Sequence, residues 1–382
     1  MKLLPFTFLV IALNANAAPK VPATVRLDFL EALAPRDTTS SEEFRRQFES
    51  SVALGVKLTE ANLKECGYRL ETHTQFYSAS DTLQARERAM DADKSETWLV
   101  VGPRRSDHYL LVANGAPDVP SVSLMAAASE IEKLGALHLS VYATNSSMAP
   151  ALANVAKASL KARQKPNYLT VVSDDCLVCK DFSQLFDSAS KARGLQKLDE
   201  VKVITETPDT TPVVESVLKH KPTFILLPNF SKISAQIMAS IQSRFPSALF
   251  LGGDGWGDGQ FGFVDRNPSL TTASGLTVRG FPPVDAGLSN FPLGKLALDG
   301  GSRGEFVPKS GPGMAILRII QGTKDILCSA KPKDRAAFRK AFAEKGRFFF
   351  SAPWGVSAYR LENARITYWK EAKGTSKKRV SQ

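Results

Sequence analysis

Short apolar runs rich in β-formers alternate with helix-period segments along almost the whole of this 382-residue chain. That alternation is the pattern of α/β units built on parallel sheets. The runs at residues 25–30, 68–74, 97–101, 121–124 and 138–142 predict one set of strands. A second set follows at 168–172, 201–205, 223–227 and 248–251. The first helix is expected over about 41–64, where Phe44, Phe48, Val52 and Val56 recur every fourth residue and make one apolar stripe. Ser40 or Ser41 can cap it, and Gly67 follows its end. Further helices are expected at 146–162, 312–327 and 332–345, before a β-like end from Phe348 to Trp369. Restart of the pattern near residue 140, and a Gly/Pro-rich stretch near 275–283, predict two α/β halves between which the chain crosses more than once. A chain this long also exceeds what one core usually serves.

The N-terminus predicts the compartment. Lys2 precedes an apolar stretch over 3–13 and then Ala15, Asn16 and Ala17, which is a charged start, a short hydrophobic region and a small-residue cleavage site. Residues 1–17 therefore read as an export signal, with periplasmic or secreted localisation after cleavage. No later run reaches the length of a membrane span. The formal charge is +11, yet the stretch from Lys370 to the end holds five basic residues against one acid. Residues 370–382 thus read as a basic flexible tail, and the body lacks the concentrated basic face of a nucleic-acid binder.

Four cysteines, Cys66, Cys176, Cys179 and Cys328, allow three complete pairings in an oxidising compartment. Sequence does not choose among them; Cys176 and Cys179 close the shortest loop, and Cys66 and Cys328 would then be left to pair if the fold brings them together. The same C-x-x-C spacing occurs in thiol oxidoreductases, so an exported oxidoreductase is one alternative. The four histidines have no metal-ligand spacing, and no metal or cofactor is expected. Residues 300–304 fit G-x-S-x-G, but without a strand-to-helix elbow, so no nucleophile and no enzymatic activity are expected.

The segment 248–256 is the sharpest local signal: Ala-Leu-Phe-Leu closes on Gly252 and Gly253, then delivers Asp254, Gly255 and Trp256. It predicts a buried strand presenting a carboxylate at its C-terminal edge, where open α/β sheets bind ligands. The competing readings are an Asp-Gly turn for Asp254 and, with Asp258 and Asp265, an EF-hand echo that Trp256 and the absence of flanking helices spoil.

Three stretches in this order, residues 98–106 (WLVVGPRRS), 119–131 (VPSVSLMAAASEI) and 250–254 (FLGGD), resemble the type I periplasmic binding proteins. The closest branch is that of the leucine/isoleucine/valine-binding proteins, and the resemblance spans about residues 24–369. It implies two doubly wound lobes joined by a multi-strand hinge: residues 24–140 with about 280–347, and 141–279 with about 348–369. It also implies a monomer that takes an amino acid or similar amine-bearing ligand in the interlobe cleft by hinge closure and delivers it to the permease of an ABC transporter. By the same resemblance Ser106 would donate to the ligand carboxylate and Met125 and Ala127 would offer backbone groups. Phe230 would form an aromatic wall and Asp254 would take the ammonium; Trp256, two residues after Asp254, is a further candidate contact, with burial in the core as the competing reading for both aromatics. Departures stand out: Ala127 where the family often has a hydroxyl, Val178 near an expected aromatic, and Arg104 and Arg105, which suit a ligand with extra negative charge. A sensor or regulatory interaction protein on the same fold is the other alternative.

Overall fold

The computed structural model describes residues 22–33, 38–204, 208–256, 267–351 and 353–369. The export signal at 1–17, the tail at 370–382, and Asp258 and Asp265 lie outside the described residues.

The first half runs β1 (Ala23–Leu33), α1 (Thr38–Cys66), β2 (Tyr68–Ser78), α2 (Leu83–Lys94), β3 (Leu99–Val101), α3 (Ser106–Gly115), β4 (Ser121–Ser123) and β5 (His138–Ser140). Its five strands form one parallel sheet in the order β2-β1-β3-β4-β5. After α4 (Asn145–Ser159) come β6 (Asn167–Ser173), α5 (Leu177–Lys191), β7 (Gln196–Val203), α6 (Thr211–His220), β8 (Phe224–Leu227), α7 (Ser231–Gln242), β9 (Leu249–Gly252) and β10 (Ser274–Arg279). Four helices follow: α8 (Val284–Leu288), α9 (Pro292–Gly301), α10 (Gly311–Ala330) and α11 (Arg335–Phe350). The chain then returns as β11 (Ser357–Glu362) and β12 (Arg365–Tyr368), antiparallel additions that complete a second sheet in the order β12-β11-β10-β9-β8-β6-β7.

Strands with both faces covered read as continuous apolar runs, and β3, β6 and β8 are buried at every position. The edge strand β7 is different. It starts five residues before the predicted Val201 because its first half, Gln196-Lys-Leu-Asp-Glu200, is polar and partly exposed beyond its one neighbour β6. Phe348 to Phe350 close α11 instead of opening a strand, and Phe350 stacks on Phe342 inside the core. In α1 the predicted stripe holds: Phe44, Phe48 and Val52 are buried. That helix packs on α10, and a Cys66–Cys328 disulfide ties the two together. Cys176 and Cys179 form the second disulfide.

Candidate functional site

Each half turns its parallel strands' carboxyl ends toward the other, and the side chains singled out in the sequence sit at those ends. Their individual environments divide them into two groups. In the second half, β9 ends at Gly252, where an added Cβ would lie 2.0 Å from the Trp256 ring. Only glycine lets the chain fold back so that the indole lies on the strand. Trp256 is fully buried in the core of this half, and its indole N–H donates to the Leu227 carbonyl at 2.9 Å. It is core and not pocket wall, a correction to the expected aromatic contact. Gly255 passes over the backbone of Asn229 and Phe230. Phe230 itself caps α7 with a side chain 46 % exposed, and so forms no enclosed wall. Asp254 is half-buried in the short 3-10 turn that joins Gly253 to Trp256.

In the first half, Gly102 makes the turn after β3. Its φ is +94°, and a Cβ there would stand 2.2 Å from the Leu30 carbonyl oxygen. The turn delivers Arg104, Arg105 and Ser106. Ser106 begins α3, and its hydroxyl accepts from the N–H groups of Ala127 (2.9 Å) and Ala128 (3.0 Å). Ser106 and Ala127 thus bond to each other, and the Ala127 amide expected for a ligand carboxylate is already satisfied by the serine. Met125 is half-buried beside this turn. Arg105 forks onto Asp107, with Nε–Oδ1 at 3.1 Å and Nη2–Oδ2 at 2.6 Å. That hydrogen bond raises the Arg105 pKa. Burial pushes the Asp107 carboxyl upward, but the fork prevails and holds it below its usual range.

Between these two turns lies the start of α5. Val178 packs against the cluster of Tyr109, Ala126, Ala128 and Ile131. Asp181, 8 % exposed, accepts from the Ser129 N–H (2.9 Å) and from Asn145 Nδ2 (2.9 Å), while the Phe182 ring lies against Gly253. The first turn of α5 thus occupies the ground between the Ser106–Ala127 pair and the Asp254 turn. Sequence reasoning passed over Asp181 because one acid in an amphipathic helix carries no signal of its own. Cys176 and Cys179 open the same helix, 7 % and 1 % exposed and packed with Val172 and Val178. Burial of both residues leaves little surface for an incoming thiolate to attack, which weighs against the oxidoreductase alternative.

Open space lies elsewhere along the same edges. A cavity of about 330 Å³ is framed by the turn after β3, the end of β10, the first turn of α10 and the β11–β12 pair. Its charged lining among the described residues is Arg104, Arg279 and Lys309, with no carboxylate. Phe281, Tyr359 and Tyr368 supply rings. The Tyr359 hydroxyl donates to the Phe281 carbonyl at 2.9 Å, which fixes this wall, and burial pushes the Tyr359 phenol up to about 12. Behind Arg104 sits Glu31, fully buried, with Nε–Oε1 at 3.0 Å. Burial raises the Glu31 carboxyl even against the pull of Arg104. The Arg279 guanidinium lies 4.6 Å from the Tyr359 ring centroid. Its Nε is buried with no hydrogen-bond partner, and it forms no ion pair among the described residues. A lone cation ending the apolar strand Ser274–Arg279 is the same kind of signal as Asp254, and it could have been read from the sequence. No cluster of metal-ligating side chains is present among the described residues.

No family model matches this chain, and no curated protein sequence is similar to it. Solved structures are similar in fold. A leucine-binding protein from Thermotoga maritima MSB8 superposes with a TM-score of 0.70 at 15% identity, covering 91% of this chain and 98% of its own. A branched-chain amino-acid substrate-binding protein from Streptococcus pneumoniae, solved with isoleucine, gives 0.66 at 13%, covering 90% and 99%. A solute-binding protein of an ABC transporter from R. palustris, solved with benzoate, gives 0.64 at 13%, covering 91% and 95%. The chain has the type I periplasmic binding protein fold, as its sequence resemblance implied.

Proposed function

We propose that this chain is an exported solute-binding protein that closes two lobes on a small ligand and presents it to the permease of a membrane transporter. The lobes are residues 24–140 with about 280–347, and residues 141–279 with about 348–369. The observation that carries this reading is the contact between turns at the carboxyl edges of two largely parallel sheets, as at Ser129 and Asp181, with a cavity lined from both halves. Thr277 of β10 pairs with Gly252 of β9, so Arg279 and Asp254 follow two residues later at matching places on neighbouring strands. An amine and a carboxylate on one small molecule need such an acid and such a base. Asp254 takes the ammonium, and an amino acid or a related amine-bearing molecule is the ligand class. Contacts made in both lobes favour the closed form, so binding compacts the molecule. Function is binding without chemistry, by a monomer, without a cofactor.

Native mass spectrometry of freshly purified protein identifies the carried molecule, and thermal shift across an amino-acid panel ranks candidates. Asp254→Ala is expected to abolish the shift for amine-bearing ligands. A panel with no shift, together with no effect of Asp254→Ala, rules the amine-bearing ligand class out.

One observation favours a second reading, a sensor or regulatory partner on the same fold: the first turn of α5 fills the ground between the Ser106 and Asp254 turns. Capture of a defined periplasmic protein partner, with no small-molecule response, would establish that alternative.

A further inference from the structure

Resting on the solute-binding reading, we propose that the cavity framed by Arg104, Arg279 and Lys309 takes the carboxylate of the ligand, and that the part of the ligand beside that carboxylate is flat and apolar. The place the resemblance assigns to the carboxylate is spent: the Ser106 hydroxyl holds the amides of Ala127 and Ala128, and α5 packs over the turn. The cavity has what that turn lacks. Three cations line it without a lining carboxylate, so their field favours an anion. Glu31 balances Arg104 from behind, and Glu43 stands close enough to Lys309 to feel its charge. Arg279 has no such counterion among the described residues, and its buried Nε lacks an acceptor.

A guanidinium that lines a cavity without a counterion is matched by a carboxylate, whose oxygens accept from its N–H groups. Inorganic phosphate would match the charge but not the walls. Phe281, Tyr359 and Tyr368, with Pro282, Pro283 and Pro312, give the cavity flat apolar faces suited to a ring or a short hydrocarbon. Its volume of about 330 Å³ fits a molecule of roughly amino-acid or benzoate size.

Calorimetric titration of the full chain with benzoate, benzamide, inorganic phosphate and L-leucine tests this, using wild type, Arg279→Gln, Lys309→Gln and Asp254→Asn. Benzoate is expected to bind at least about tenfold tighter than benzamide and phosphate, and Arg279→Gln to weaken it by about ten- to hundredfold. Lys309→Gln, a change at an exposed residue, is expected to weaken benzoate a few fold and to reduce its salt dependence, while Asp254→Asn leaves benzoate binding unchanged. Benzoate binding that survives both Arg279→Gln and Lys309→Gln overturns the cavity assignment. L-leucine binding lost in Asp254→Asn but kept in Arg279→Gln overturns it as well, while leaving the solute-binding function standing. Phosphate binding tighter than benzoate overturns the ligand class. Absence of binding by all four probes overturns the proposal.

Discussion

The Gly252–Trp256 turn and the Arg279 cavity lie on neighbouring strands of one sheet, and they use their residues in opposite ways. In the turn, the glycines and the tryptophan on either side of Asp254 have internal partners. Gly252 makes room for the indole, Trp256 donates to Leu227, and Gly255 lets the backbone cross Asn229. At the cavity, a guanidinium ends its strand over a ring with no acceptor for its Nε. In the sequence both are a charge at the end of an apolar strand. What separates them is whether the protein itself already satisfies the groups that look ready for a ligand.

The largest effect should come from breaking the packed turn. Gly252→Val places a branched side chain where a single Cβ already lies 2.0 Å from the Trp256 ring, so the indole must leave the core. A loss of about 3 kcal/mol or more is expected. Urea denaturation measures it, and a loss below about 1 kcal/mol would mean that the turn is adaptable and the contrast with the cavity is overstated.

Asp181 tests whether α5 holds the two halves together. Asp181→Ala leaves the buried Asn145 Nδ2 and the Ser129 N–H without this acceptor, at a cost of about 2 kcal/mol. Small-angle scattering is expected to show a more extended particle, because Ser129 precedes β5 of the first sheet and Asp181 follows β6 of the second. An unchanged scattering profile would assign Asp181 to local packing only.

How much of this was legible in the sequence follows the same division. Strands buried on both faces, such as β6 and β8, were read almost residue by residue, since burial demands an unbroken apolar run. The edge strand β7 was cut short because its exposed half carries no such demand. Ser106 and Ala127 are each assigned to a ligand carboxylate by the resemblance, yet they bond to each other, and spacing says nothing about such a contact. Arg279, Lys309 and Tyr359 come from β10, the approach to α10, and β11, so no local pattern unites them. Only the crossing of the chain between the halves does.

Acid should act on the packed parts in a smaller, graded way. His138 and His108 are buried, and burial lowers both pKa values below the ordinary 6.5. His138 Nε2 lies 3.2 Å from the Pro117 carbonyl, so it carries the proton, and Nδ1 accepts from the Ser121 hydroxyl. Because the folded state binds protons less readily than the unfolded one, this stability is fully present above pH 6.5. It is lost as pH falls through the folded values. The melting temperature is expected to drop between pH 7 and 5, less steeply in His138→Gln. Parallel curves for the two proteins would show that His138 protonation does not contribute.

The smallest effect on stability belongs to Arg279, on which carboxylate binding is expected to depend. Arg279→Gln gives up a cation–π contact with Tyr359, which at partly exposed sites is worth about 0.5–1 kcal/mol. It also removes a buried Nε that lacks an acceptor, and it relieves a cavity in which Arg104 and Lys309 already carry like charge. These terms oppose each other, so the net change should stay within about 0.5 kcal/mol. Thermal unfolding of the ligand-free protein measures it. A loss of about 2 kcal/mol or more would show that Arg279 holds the fold together, as Trp256 does, and the two strand ends would then be alike. A neutral result, beside a large loss for Gly252→Val, separates a strand end built for packing from one that leaves a charge to be met from outside.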